Sequence, residues 1–370
     1  YKGAAQMVLP VPPTVSITEL EATTHPKDTT AGAAYLYRYG RTFFELNNGY
    51  WIMVTEVYTR IKIYKKDSYG YATPEMVFYS GTKKAKGNFS KAAAYNLENG
   101  KVVKTELKKE SEFEETHGEY TRKTIALPNV KEGTVIEYTT TIKTPYFSTL
   151  RDWYFQYGIP VNDVQYYVYV PHYFQYNIYK VGYVDVDVVP SIMVNDLKTG
   201  NKVTVSAYLA KDVPAFKEEA FVNNPENYIG KLMHELALVA IPGTPVQTLS
   251  GDWVSVAKKI YEHESFGREL NFEGYFKDEV KPLLAGPEGD EAKMKAIFSF
   301  VQNRMAWNEE EGYMCDKGVK DAYKNRQGNA ADINLMLTAI LRYADLDANP
   351  VLVSTLDNGI ALFASRTAYN

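Results

Sequence analysis

The side chains best suited to nucleophilic or metal chemistry are one cysteine, Cys315, and five histidines, His25, His117, His172, His234 and His263. A cysteine attacks as the thiolate and needs a base to take its proton. Cys315 stands beside Asp316, which raises a thiol pKa, and Lys317, which lowers it, in a polar stretch with no histidine near in sequence. It reads as a chemically ordinary small hydrophobe and is kept only as an alternative nucleophile. A lone cysteine excludes an intramolecular disulfide framework. The histidines fall in five separate segments without zinc-ligand spacing, so neither a metal nor another cofactor is expected. Asp185 and Asp187 alternate as on one solvated strand face, which explains them without calcium.

The most informative stretch is Gly328-Asn329-Ala330-Ala331-Asp332 followed by the apolar run 333–341. An Asn three residues before an Asp, ahead of an apolar run, is an N-cap with an acid at the third helical position. Gly328 sets a backbone geometry here; no lysine follows at the spacing of a phosphate-binding loop. The tyrosine-rich run 166–176 suits stacking on a sugar or gripping a peptide, although cross-strand packing is the commoner use of such rings.

These residues must be positioned by two kinds of structure. From residue 34 to about 209 the hydrophobic period is two, as in 58–64, 134–142, 166–170 and 184–188. Asn99-Gly100 between 92–97 and 101–107 is a type I′ hairpin signal, and 131–133 and 199–201 mark further reversals. The 31 tyrosines and 16 phenylalanines favour strands, and the reading is of antiparallel sheets packed face to face. After residue 245 the period becomes helical. Trp253, Val256, Ala257 and Ile260 form one apolar face, and Met294, Ile297, Phe298, Val301 and Met305 form another in a helix opened by Gly289-Asp290. A third helix over 330–343 points Ile333, Leu337, Ile340 and Leu341 inward, and 350–355 reads as a buried strand followed by a turn at 357–359.

The fold class is therefore α+β, an N-terminal antiparallel β-sandwich-like domain followed by a helix-first domain. The divisions are a lead-in segment over 1–32, a β-rich domain over 33–240 and a second domain over 245–370. A length of 370 residues allows two or three domains at roughly 100–200 residues each. A net charge of −4 supplies no field for holding a polyanion, so nucleic acid is excluded as a partner. No apolar window approaches the length of a membrane span.

The glycine, the two-residue helix opening and the long apolar helix running towards 350–355 resemble the core of the transglutaminase-like superfamily, where the helix starts Gly-x-Cys. That resemblance implies a cysteine on the first helical turn, favoured as thiolate by the helix dipole, with a histidine and an acid on later strands. The cysteine position is Ala330, whose methyl group can neither ionise nor attack, and no histidine follows it in the sequence. Gly328, Asn329, Ala330 and Asp332 are thus positions of a degenerate active site. Residues of about 55–215 resemble the bacterial DUF3857 domain. The resemblance rests on Ala94-Tyr95-Asn96-Leu97 with Gly100-Lys101-Val102-Val103, the segment from Leu127-Pro128-Asn129-Val130 to Glu137-Tyr138, and Trp153-Tyr154-Phe155-Gln156 with Ile159-Pro160-Val161. That domain commonly precedes a transglutaminase-like core in exported bacterial proteins, which implies a periplasmic or cell-surface location and a core that is incomplete at its C-terminal end. The expected work is non-catalytic binding of a peptide, a glycan or a protein. The alternatives are a cysteine hydrolase or acyltransferase using Cys315 with residues beyond 370, and a scaffold for further domains C-terminal to Asn370.

Overall fold

The computed structural model describes residues 10, 12–82, 84–196, 200–249, 251–356, 359–361 and 364. The chain divides into two compact units, Tyr1–Leu249 and Ser250–Asn370. Among the described residues no helix is long and apolar enough to cross a membrane.

The first unit opens with α1 (Ile17–Glu21) and continues as strands β1 (Ala33–Asn47), β2 (Tyr50–Ile63), β3 (Glu75–Tyr79), β4 (Lys86–Glu98), β5 (Lys101–Glu106), β6 (Glu112–His117), β7 (Tyr120–Ile125), β8 (Val135–Thr144), β9 (Thr149–Tyr154), β10 (Val161–Pro171), β11 (Phe174–Val181), β12 (Asp187–Asn195), β13 (Lys202–Val213), β14 (Lys231–Val239) and β15 (Gln247–Thr248). Eight of them make one sheet in the order β12-β13-β10-β1-β2-β8-β4-β5. Two smaller sheets, β3-β7-β6 and the set of β9, β11, β14 and β15, complete the unit. Alternation turns one row of each strand inward, and the core joins Ile61, Ile136 and Tyr166 of the large sheet to Phe78 and Ile125 of one small sheet and Trp153, Phe174 and Leu236 of the other. The Asn99-Gly100 turn closes β4 on β5, with φ of 49° and 72°, the positive values that a type I′ turn requires. The tyrosine-rich run is core: Tyr166 stacks on Trp153, Tyr173 meets Trp51, and Tyr176 meets Phe44.

The sheets are mostly antiparallel, as expected, with one exception in the first unit. Strands β1 and β10 pair in parallel, Tyr35 against Val161 through Thr42 against Val168. Local alternation specifies that a segment is a strand but not which strand lies beside it, so this pairing leaves no trace in the period. Strands also continue past residue 209, because β14 supplies the centre of the second small sheet. Asp187 opens β12, while Asp185 precedes it outside any strand.

The described part of the lead-in is fastened to the sheet. Ser16 and Glu19 form a capping box at α1, and Val15 and Leu20 pack on Leu36 and Val135. Arg60, 2% exposed, donates to Glu19 at 2.9 Å, to the carbonyl oxygen of Pro13 at 2.6 Å and to Glu137. Lys62 donates to the carbonyl oxygens of Leu20 and Gly133 at 2.7 and 2.6 Å, and burial lowers its pKa to about 8.

The second unit contains α2 (Trp253–Tyr261), α3 (Lys277–Leu283), α4 (Asp290–Arg304), α5 (Val319–Asn325) and α6 (Ala330–Tyr343), with a two-residue parallel pair formed by β16 (Ala306–Trp307) and β17 (Gln327–Gly328). Val256 and Ile260 of α2 and Ile297 and Val301 of α4 are buried, whereas Trp253, Met294 and Phe298 are about half exposed. The apolar stripe of α4 is wider than the face it buries. The inward face of α6 is Leu335, Met336, Ala339 and Ile340, with Ile333, Leu337 and Leu341 only partly buried. A helix apolar on nearly every side carries too little contrast for its period to say which side is inside. The expected strand over 350–355 does not form: these residues join no ladder among the described residues, and Val351 and Val353 are 79% and 58% exposed while Leu352 packs on the core. Alternation is present there, but among the described residues no segment pairs with it. The expected turn at 357–359 lies mainly outside the described residues.

Candidate functional site

The first turn of α6 is built by a reciprocal cap. The Asn329 side chain accepts from the Asp332 backbone N–H at 2.8 Å, and the Asp332 carboxylate accepts from the Asn329 N–H at 3.1 Å. Both residues are buried. The Asn329 amide also donates to the Met314 carbonyl oxygen at 2.9 Å, which fastens the preceding loop to the helix start. Gly328 is required by space: a Cβ there would lie 2.7 Å from that of Asp332 and 3.1 Å from that of Ala322. The parallel pairing of Trp307 with Gly328 brings an indole beside the helix start, where its Nε1 and the Ala330 N–H both donate to the Glu310 carbonyl oxygen, at 2.9 and 3.2 Å.

From this point a groove of about 700 Å³ runs along α6. Ala330, Asn334, Leu337, Thr338 and Leu341 form its floor, one ridge of the helix at three- and four-residue steps. Trp307 and Tyr313 stand at one end, and the segment 347–353 forms the opposite wall. Glu311 and Asp347 are the charged residues of the lining; no cation is among them. Leu337 and Leu341, which pack at the edge of the core, also line the groove and are for that reason only partly buried.

Cys315 is not in the lining. It lies in the core of the second unit, 8% exposed, its backbone N–H donating to the Ser265 carbonyl oxygen at 2.9 Å. The loop itself is polar as expected, with Asp316 and Lys317 exposed, but Cys315 turns into the core. Burial pushes the thiol pKa well up, and the negative charges of Asp332 and Glu269 push it further. Lys317, the one feature that favoured a thiolate, is exposed and does not offset them. The histidines are not gathered. His263 Nδ1 accepts from the Ser265 N–H in the turn after α2, and it is the single histidine of the second unit. His25 is held by Asn162, His172 by Lys202, His117 is exposed, and His234 is buried against Tyr166 and Tyr208.

The groove-lining residues not anticipated from sequence are Trp307 and the segment 347–353. A tryptophan ahead of Glu309-Glu310-Glu311 is the available signal for the first; the second carries none beyond its alternation.

The sequence model of a family described as a domain of unknown function with a solved structure, DUF3857, matches residues 53–217. The matched region runs from within β2 to just beyond β13 and so covers most of the large sheet. No curated protein matches the chain. Among solved structures, the chain is similar to a crystal structure of a "putative protease" from Parabacteroides distasonis, with 14% identity and a TM-score of 0.57 over 85% of this chain. The chain spans 59% of the length of that structure. At that identity the likeness is one of fold.

Proposed function

We propose that this is a transglutaminase-like protein whose inherited site binds an extended peptide and does not cut it. The observation that carries the reading is the position of Ala330: a methyl group stands on the first turn of a capped helix at the head of a groove, while the chain's one thiol is held protonated in the core. The dipole and free N–H groups of a helix start favour an anionic nucleophile, and Ala330 offers none. The fold likeness to a protein described as a putative protease and the DUF3857 match support the assignment of the fold type. A peptide suits the groove better than a glycan, because the floor presents leucine side chains and two neighbouring acids rather than a broad aromatic platform.

The test is to titrate the protein with arrayed peptides that pair leucine or valine with lysine or arginine, following binding by fluorescence, and in parallel to search for new termini by mass spectrometry. Binding is expected, weakened at least tenfold by Leu337→Arg, with peptides recovered intact. Cleavage or cross-linking that disappears in Cys315→Ala would replace this reading by a cysteine enzyme.

A further inference from the structure

The large sheet of the first unit ends in two edges of different chemistry. An edge strand presents unpaired N–H and C=O groups, and proteins blunt such edges with charged side chains. Strand β5, at one end of the sheet, carries Lys101, Lys104 and Glu106. The edges of the β3-β7-β6 sheet carry Glu75 on β3 and Glu112, Glu114 and Glu115 on β6. Strand β12, at the other end of the large sheet, has no charged residue between Asp187 and Asn195. It pairs with β13 on one side and, among the described residues, with no strand on the other. Val188, Ile192 and Met193 are each more than half exposed, and Val189 is 40% exposed. An uncharged apolar edge of this kind is a template for another strand.

The register on β13 tells which face each side chain takes. Val188 stands opposite Tyr208, a core residue, and Met193 opposite Thr204, which alternation places on the same face as Tyr208. Val189 stands opposite Ala207 and Ile192 opposite Val205, on the other face, where Val194, Val203 and Val205 pack with Tyr169. The register shifts between Val189 and Ile192, so Pro190-Ser191 is a bulge, held to β13 by the contact of Ser191 Oγ with Ser206 Oγ at 2.8 Å. The bulge makes the strand symmetric about its own middle. Reading outward from Pro190-Ser191, either direction gives an apolar residue on the outer face, Val189 or Ile192, and then one on the core face, Val188 or Met193.

We propose that β12 pairs antiparallel with β12 of a second copy of this chain, across a two-fold axis at Pro190-Ser191, so that two eight-stranded sheets become one. A two-fold axis normal to a sheet keeps each face on its own side, so residues set opposite each other must share a face. Here Val188 meets Met193 on one face and Val189 meets Ile192 on the other, while Asp187 meets Val194 rather than a second acid. Pro190 has no N–H to give a neighbour, and at the axis that loss falls where the bulge already interrupts the ladder. A second copy brings the same interruption to the same point. A regular strand of another protein would lie against a broken one.

The test is sedimentation velocity of the whole chain over a range of concentrations, with Ile192→Lys and Met193→Lys as separate variants, one on each face of the strand. A reversible shift to twice the mass of one chain is expected, weakened tenfold or more by each lysine, which buries an ammonium without a partner. Both positions are exposed in the single chain, so both variants keep the fold. The double variant Val188→Cys with Met193→Cys, oxidised with diamide, is expected to give a covalent dimer, because the two positions lie too far apart along one strand to join within a chain. A monomer at every concentration, open-ended oligomers, a dimer that neither lysine weakens, or a dimer that the double variant does not lock overturns the proposal.

Discussion

The indole of Trp153 lies flat on the phenol ring of Tyr166, 4.6 Å between centroids and 5° from parallel. Trp153 belongs to β9 and Tyr166 to β10, so the stack joins a small sheet to the large one. It is possible because Gly40, on the neighbouring strand and in register with Tyr166, has no side chain.

A Cβ on Gly40 would meet Trp153 Cζ3 at 2.2 Å. Gly40→Ala is therefore expected to destabilise the first unit by about 1–3 kcal/mol, the usual cost of overfilling a packed core. Urea unfolding followed by tryptophan fluorescence measures it, and a loss below about 0.5 kcal/mol would mean the stack moves aside freely.

His234 sets an acid limit. Both ring nitrogens are buried with no hydrogen-bond partner among the described residues, and burial lowers its pKa to about 4. Between pH 6.5 and 4 the unfolded chain takes up a proton that the folded chain refuses, so stability falls as pH drops through that window. The total is about 3 kcal/mol, at 1.36 kcal/mol per pKa unit. His234→Phe should remove this part of the pH dependence. Equal slopes for the two proteins between pH 7 and 5 would contradict it.

The cap at α6 is expected to govern the second unit. Asn329→Ala loses the bond from the Asp332 N–H and the one to Met314, for a cost of about 1–2 kcal/mol. Asn329→Asp keeps the capping acceptor but places a second carboxylate beside Asp332, and should recover only part of the loss. Calorimetry on both variants gives the order.

Thiol chemistry separates the two positions discussed for a nucleophile. Cys315 should react with iodoacetamide at neutral pH more slowly than a free thiol, because it is buried and held protonated. Ala330→Cys places a thiol at the partly exposed helix start and should alkylate faster, yet turn over no amide or ester. Without a positioned base and acid, general catalysis worth roughly 10²–10⁴-fold is missing. Turnover by that variant, lost on replacing His263, would show that an upstream histidine completes the site.

What was legible in the sequence is what short-range physics decides. Asn99-Gly100 needs two positive φ values and so announces its turn, and Asn329 and Asp332 announce a cap because three residues separate partners that must meet. The parallel neighbour of β1 and the side of α6 that lines the groove were not legible. Each depends on which distant segment arrives beside it. Residues 350–355 carry the alternation of a strand, but a ladder needs a second chain segment, and alternation says nothing of one.

The parallel pairing of Tyr35 with Val161 has a consequence for how the chain acquires its shape. A hairpin such as β4–β5 can zip as soon as its turn is made, in microseconds. The centre of the large sheet cannot: β1 must wait, with one edge open, until β10 has been synthesised and brought back to it. High sequence separation makes such closure slow, and an open hydrophobic edge during the delay invites pairing with the wrong strand. The yield of correctly folded protein should therefore respond to chaperone supply and growth temperature more than its final stability would suggest.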